Sequence, residues 1–314
     1  MPQHMTVAQA RVVDPVLTTV AQGYQNAGFV GLSLFPVVTV SERGGKITTF
    51  GKESFALFNT SRAPGANVKR VSFGYSGSPF ALEQHAISGI IPLEELEDAR
   101  SVPGIDLAAV HVSAVQESIG LRLEYAQATL AATAANYPAG NKITLSGTAQ
   151  WSDQTSGVSD PVKDIMTGKE AIRAKIGKRP NTMVIGPLVW AALNTHPKIV
   201  DRLKYTGRDS LTVDILANLF DVQKVIVGDA IYDNNGTFVD VWGKNVILAY
   251  TITESMARRG APSFGYTYRL TNCPFVEDIR YDGDIRSWLV PVVDEVAPVI
   301  ACVNAGYLIS SAVA

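Results

Sequence analysis

Between Ile105 and Leu130, apolar residues return at three- and four-residue steps: Ile105, Ala108, Val112, Val115, Ile119, Leu123, Ala126 and Leu130. That is the period of one helix face. Pro103 and Gly104 precede the run and Asn136-Tyr-Pro-Ala-Gly closes it, so one helix is expected over about 104–136. At about 1.5 Å per residue, a helix of roughly 30 residues spans roughly 45 Å, the length of a whole domain. Glu117, Arg122 and Glu124 on this segment rule out a membrane helix. A lone coiled coil would also fit the period, but strand signals elsewhere favour a long spine packed on a sheet.

The 314 residues can fill one or two lobes, and 46% hydrophobic against 18% charged residues indicates an ordered chain. The net charge of −2 sets up no strong field to recruit nucleic acid or membrane. Cys273 and Cys302 both sit in apolar surroundings and read as buried thiols of a reducing compartment. Met1-Pro-Gln-His-Met-Thr carries no basic region followed by an apolar run, and no stretch reaches the ~20 apolar residues of a span, so no signal peptide and no membrane partner are expected.

Residues 1–43 are interrupted by Pro15, Gly23, Gly28, Gly31 and Pro36, and read as an arm that docks its apolar residues on another surface. From Gly44 to Ala86 the pattern is strand-like. Lys46-Ile-Thr-Thr-Phe and Val68-Lys-Arg-Val-Ser-Phe flank a turn-rich tip, Asn59-Thr-Ser-Arg-Ala-Pro-Gly-Ala-Asn. A two-stranded projection buries little by itself and leaves two open edges, so a further surface must hold it. Trp151–Tyr205 reads as loop, helix, Gly-Lys-Arg-Pro turn, buried strand (Thr182–Ile185) and second helix. Leu211–Phe220 is a short amphipathic helix and Val222–Gly228 a strand. A turn at Asp233-Asn-Asn-Gly is expected to join the strands Phe238–Trp242 and Val246–Thr251. Phe264–Leu270, Val276–Tyr281 and Val299–Ile309 read as strands. Helices and strands mix without regular alternation, which makes the class α+β.

The search for chemistry yields little. Gly74-Tyr-Ser-Gly-Ser78 has serine where a nucleophile elbow needs its second glycine, and no phosphate-binding glycine loop is present. His4, His85, His111 and His196 lack any zinc spacing. His196 before Pro197 reads as part of a helix-to-helix turn, and His111 as a helix-flank residue. Glu94-Glu-Leu-Glu-Asp is a solvated helix face, since neighbouring carboxylates on a helix diverge. Asp278, Asp282 and Asp284 fail the calcium-loop pattern and read as turn residues paired with Arg280 and Arg286. Glu124 is either a buried functional carboxylate or the partner of a nearby arginine. No catalytic residue, cofactor or metal site is expected. Lys46, Lys52, Arg62, Lys69 and Arg70 cluster on the projection with Phe50, Phe55, Phe58 and Phe73. Nucleic-acid stacking would use such a set, but Glu42 and Glu53 dilute the charge, and pairing with a neighbouring protein surface is the better account. Lys46, Lys52, Phe58, Arg62, Lys69 and Arg70 are therefore the candidate inter-subunit contacts.

The block from Trp151 through Gly177-Lys-Arg-Pro-Asn-Thr-Met-Val-Ile-Gly to Tyr205 closely resembles the corresponding part of tailed-bacteriophage major capsid proteins. Phe80-Ala-Leu-Glu-Gln-His-Ala through Ile91-Pro-Leu-Glu-Glu-Leu-Glu-Asp-Ala-Arg, Val241-Trp-Gly-Lys-Asn-Val-Ile-Leu-Ala-Tyr and Pro262-Ser-Phe-Gly-Tyr-Thr-Tyr-Arg are similar to further segments of that family. The resemblance runs from about residue 40 onward and rests on the order of the segments. It implies the α+β Hong Kong ninety-seven-type fold, with an N-terminal arm (1–43), extended loop (44–86), peripheral domain with the spine helix (87–180), axial domain (181–270) and returning C-terminal strands (271–314).

What the resemblance implies about function is a structural protein. Its copies join as hexamers and pentamers into an icosahedral shell around double-stranded DNA, which they contact without sequence preference. A separate scaffolding protein and a portal are implied as partners, a decoration protein is a further one, and assembly takes place in the host cytoplasm before the protein resides in the virion. Some relatives cross-link through a lysine and an asparagine. Lys46, Lys52, Lys69, Asn59 and Asn67 qualify by position only, and no cross-link is expected. Competing readings are a cellular nanocompartment shell of the same fold, an enzyme with a dispersed site, and a nucleic-acid-binding module.

Overall fold

The computed structural model describes residues 15–23, 28–49, 61, 76–100, 106–203, 211–252 and 263–314. The chain opens with helices α1 (Pro15–Gly23) and α2 (Gly31–Leu34), strand β1 (Val37–Val40) and the strand pair β2 (Gly44–Thr49) and β3 (Ser76–Ala81). Strand β4 (Glu83–Pro92), helix α3 (Leu93–Arg100) and the long helix α4 (Leu107–Ala132) follow. Next come β5 (Lys142–Thr144), α5 (Pro161–Ile176), β6 (Thr182–Ile185), α6 (Pro187–Thr195), α7 (Pro197–Leu203) and α8 (Val213–Phe220). The remainder is strand: β7 (Lys224–Val227), β8 (Ile231–Asn234), β9 (Thr237–Asp240), β10 (Val246–Ala249), β11 (Gly265–Leu270), β12 (Phe275–Val276), β13 (Arg280–Asp282), β14 (Ser287–Ile300) and β15 (Gly306–Ser310).

Helix α4 has 26 residues, so it extends about 39 Å. It starts later than the periodicity suggests because the Asp106 carboxylate accepts the Ala109 N–H and caps the first turn. At its other end, Asn136 Nδ2 and the Tyr137 hydroxyl donate to the Leu130 and Ala131 carbonyls, which would otherwise lack partners. The buried face holds Val112, Val115, Ile119 and Leu123 as expected, then turns toward Glu124, Gln127, Ala128 and Ala131. Ala126 and Leu130 are only half-buried.

Two sheets carry the molecule. In the six-stranded sheet, β14 pairs along one edge with β4 over ten residues, Ser287↔Pro92 to Val296↔Glu83. Its other edge takes β13, β12 and β11 in succession, and β1 adds in parallel to β11. Pattern reading missed β14 because Pro291 and Pro298 interrupt it and proline cannot donate to a ladder. The Pro291 carbonyl accepts from Glu277 N, so its missing N–H faces that side, where β12 ends, and the β4 ladder stays whole. The stretch expected as one strand over Val276–Tyr281 is divided between β12 and β13, and that over Val299–Ile309 between β14 and β15, which lie in different sheets.

The five-stranded sheet runs β5-β15-β10-β6-β7. Its central strands Thr-Met-Val-Ile (β6) and Val-Ile-Leu-Ala (β10) are buried at every position. Helix α5 is stopped by Gly177 at φ 66°, whose N–H bonds the Arg173 carbonyl. α5 and α8 pack on this sheet, and α7 packs against α5. Trp151 is fully buried beneath it and donates its indole N–H to Asp164 at 2.9 Å. A second core lies between α1, the first half of α4 and strands β4, β12 and β14.

Candidate functional site

The projection expected at 44–86 begins as the two-stranded pair β2–β3, in register from Gly44↔Ala81 to Thr49↔Ser76. Among the described residues no third strand joins it. Its root is fixed at three places. Arg43 grips Glu295 with two guanidinium bonds of 2.6 and 2.9 Å, Leu82 N donates to the Arg43 carbonyl, and Phe80 stacks on Tyr268 at 4.4 Å. Phe80 also crosses Gly45, where a Cβ would come within 2.9 Å of the ring. Lys46 stands exposed opposite Pro79. Lys52, Phe58, Arg62, Lys69 and Arg70 lie outside the described residues, as do Asn59, Asn67, Gly74 and the expected strand Val68–Phe73.

The arm departs from expectation. Val30, Leu34 and Phe35 are buried in the chain's own main core, and Leu17 and Ala21 in its second one. Helix α1 is held by Val276 N–H donating to Thr18 Oγ1 and by Gln22 Nε2 donating to the Pro274 carbonyl, and for Val30–Phe35 the anchor is Glu124. Its carboxylate accepts the N–H groups of Val30 and Gly31 at 2.9–3.0 Å and the indole N–H of Trp242 at 2.7 Å. No arginine pairs with it among the described residues, so the ion pair weighed for Glu124 is replaced by backbone and indole donors. Burial pushes this carboxyl above its ordinary value, and the three donors pull it part of the way back. One turn on, Gln127 donates to Thr267 Oγ1, which in turn donates to the Phe35 carbonyl.

Other charged groups are structural. Asp294, 1% exposed, meets Arg269 at 3.1 Å, and its burial raises its pKa. Lys169 lies buried at the end of α8, donating to the Phe220 and Asp221 carbonyls and to the Asp221 carboxylate. Arg286 approaches Glu94 at 3.9 Å rather than the neighbouring aspartates, while Asp282 caps its own turn by accepting Asp284 N–H. Glu94, Glu95 and Glu97 are exposed on α3, and His111 packs over Gly89 of β4, whose Cβ would lie 3.1 Å from it.

His196 closes α6 and opens α7 through its backbone, as expected, and its ring contacts Ser159 Oγ at 3.2 Å. Both residues are 2% exposed, and among the described residues His196 Nδ1 has no partner and no third group orients the pair. Among the described residues no group of three or more His, Cys, Asp or Glu gathers as a metal site, and no helix is long and apolar enough to cross a membrane.

The Asp233-Asn-Asn-Gly turn is real but joins different strands from those expected. Asn235 (φ 55°) and Gly236 (φ 87°) connect β8 to β9, so Phe238 pairs opposite Asp233 instead of entering the β10 ladder. One face of this hairpin lies on the spine helix, where Tyr232 meets Tyr125 edge-on at 4.9 Å. The other leaves Ile231 49% and Phe238 75% exposed. Sequence reasoning passed over these two residues; the Asp233–Gly236 turn signal, with apolar residues close on both sides of it, was the clue.

With this geometry in place, the comparisons are consistent with one another. A model of the family "Phage major capsid protein E" matches residues 131–269. A major capsid protein of Burkholderia phage BcepMu is 42% identical over 309 residues, covering 97% of this chain and 98% of that protein. The crystal structure of a phage-related protein from Bordetella bronchiseptica superposes with a TM-score of 0.83 at 43% identity, over 97% of this chain and 98% of the other. The mature capsid of bacteriophage PhiM1 shares the fold at a TM-score of 0.56 and 12% identity, over 98% of this chain and 91% of its own.

Proposed function

The chain belongs to the phage major capsid proteins, a structural family of the virion with the Hong Kong ninety-seven-type fold, and from that premise we propose how its parts serve the shell. Its copies join as hexamers and pentamers into an icosahedral container for double-stranded DNA. The observation that carries this reading is the 42% identity along nearly the whole length of a phage capsid protein, which also favours a viral shell over a cellular compartment.

Residues 44–86 form the extended loop, and Lys46, Lys52, Phe58, Arg62, Lys69 and Arg70 are its contacts with neighbouring copies. A β2–β3 ribbon with no third strand among the described residues supports that role, since such ribbons need a second surface. The six-stranded sheet with α4 is the centre of the peripheral domain and the five-stranded sheet that of the axial one, so β5, α5 and β15 join the axial part from outside residues 181–270 and β11 leaves it for the peripheral sheet. Assembly takes place in the host cytoplasm with a separate scaffold and a portal, a decoration protein can be added later, and the protein catalyses no reaction.

Electron microscopy with light scattering of the expressed protein tests the reading. Rings of five or six, tubes or closed shells are expected; a monomer or dimer that persists at high concentration with its scaffold present would overturn it. Deleting Phe58–Val68 should leave a folded subunit that no longer closes into shells, and normal particles from that deletion would remove the inter-subunit role of the loop.

A further inference from the structure

The β8–β9 hairpin is the second two-stranded ribbon among the described residues, and it is chemically the opposite of the first. Residues 229–240 hold Asp229, Asp233 and Asp240 and no lysine or arginine. In the register Ile231↔Asp240 and Asp233↔Phe238, these four side chains share one face, because alternate residues of a strand point the same way. That face points away from the spine helix. The other face meets that helix through Tyr232, edge-on to Tyr125 at 4.9 Å. Phe238, at 75%, is the most exposed large apolar side chain among the described residues. An acidic face centred on a bare phenylalanine and an isoleucine is the composition of a contact patch.

Within the same chain, residues 44–75 carry the matching set: Lys46, Lys52, Arg62, Lys69 and Arg70 against Glu53 alone, with Phe50, Phe55, Phe58 and Phe73. The acidic helix α3 is a poorer match, since Glu94, Glu95 and Glu97 stand there without an exposed large apolar neighbour on the helix.

We propose that the outer face of the β8–β9 hairpin, built on Ile231 and Phe238 and flanked by Asp229, Asp233 and Asp240, is the surface on which the extended loop of a second copy docks. The inference rests on the reading of residues 44–86 as an inter-subunit loop and names its receptor. Opposite charge sets the register of the contact, and burial of the apolar pair against the loop phenylalanines supplies its affinity.

The test uses full-length protein and three variants. Asp229→Lys/Asp240→Lys reverses the hairpin without touching Asp233, whose carboxylate accepts Gly236 N–H and holds the turn. Lys69→Glu/Arg70→Glu reverses the loop, and the third variant combines both. Circular dichroism and thermal melting confirm that each subunit folds. Each single reversal should lower the yield of closed particles by about tenfold or more, and the combination should restore it to within about twofold of the native chain. A photo-crosslinker at Phe238, in particles assembled from an equal mixture of light and heavy-nitrogen protein, should join a heavy hairpin to a light peptide from residues 44–75. Native particles with an unaffected hairpin variant, failure of the combination to restore assembly, or cross-links to the same copy or to another segment each overturn the docking site while leaving the shell reading intact. A native chain that forms no particles overturns both.

Discussion

The Glu124 carboxylate accepts the Trp242 indole N–H at 2.7 Å although 118 residues separate the two, and the same carboxylate holds the backbone of Val30 and Gly31. One buried side chain thus joins the spine helix, the N-terminal segment and the approach to β10. Gly31 is tied to this place by space, because a Cβ there would come within 2.8 Å of Glu124 Oε2 and closer still to Gln127.

Glu124→Ala leaves three buried donors without an acceptor, and a loss of about 3–5 kcal/mol is expected in urea unfolding. Glu124→Gln keeps Oε1 and should cost clearly less. The pH response separates the two effects. Burial makes the folded carboxyl hold its proton to higher pH than the unfolded one, whose ordinary value is 4.5. The folded state therefore binds more protons in that window, and this residue's contribution to stability falls as pH rises through it. Glu124→Gln removes that slope, which melting temperatures measured from pH 4 upward would reveal.

His196 should act with the opposite sign. Burial, helped by Lys198, holds its pKa below the ordinary 6.5. Its contribution to stability is fully present above that pH and is lost as pH falls through 6.5 toward the folded value. His196→Gln should flatten the melting-temperature profile below pH 6.5 and leave the profile above it parallel to that of the native chain.

Lys169→Met should preserve the buried stem and remove all three bonds at the end of α8. A cost of about 1–2 kcal/mol is expected, because solvent can reach some of the released acceptors. Faster hydrogen exchange confined to α8 and the first residues of β7 would locate the effect.

Arg43→Ala removes both guanidinium bonds at the root of the projection, where the Glu295 side chain is 2% exposed. Amide exchange in Gly44–Thr49 should speed up while the β4–β14 ladder stays protected. Equal acceleration in both would show that Arg43 supports the whole sheet rather than the projection alone.

Local patterns were legible in the chain, and non-local ones were not. The period of α4, the Gly177 stop, the buried β6 and the Asn-Gly turn all follow from neighbours in sequence. What failed was pairing. The parallel joins of β1 to β11 and of β6 to β7 leave no mark on either partner. The donors that hold Glu124 include the backbone N–H groups of Val30 and Gly31, which every residue but proline carries, so composition could not distinguish them from an arginine. Of the projection expected at 44–86, the root pair β2–β3 lies among the described residues, and its second strand, Ser76–Ala81, was not read from the sequence because Gly77 and Pro79 break its pattern.

The ten-residue ladder between β4 and β14 determines how the subunit bears mechanical load. Strand β3 passes through Leu82 directly into β4, so the part of a pull on the projection that lies along β4 is carried by this ladder. Antiparallel bonds lie across that axis. Tension therefore loads the whole ladder in shear, where the bonds must yield together, instead of peeling them one after another from an end. A container under pressure from within strains its subunits through their outreaching parts, and here that strain runs into the longest strand among the described residues, buried from Val290 to Ala297.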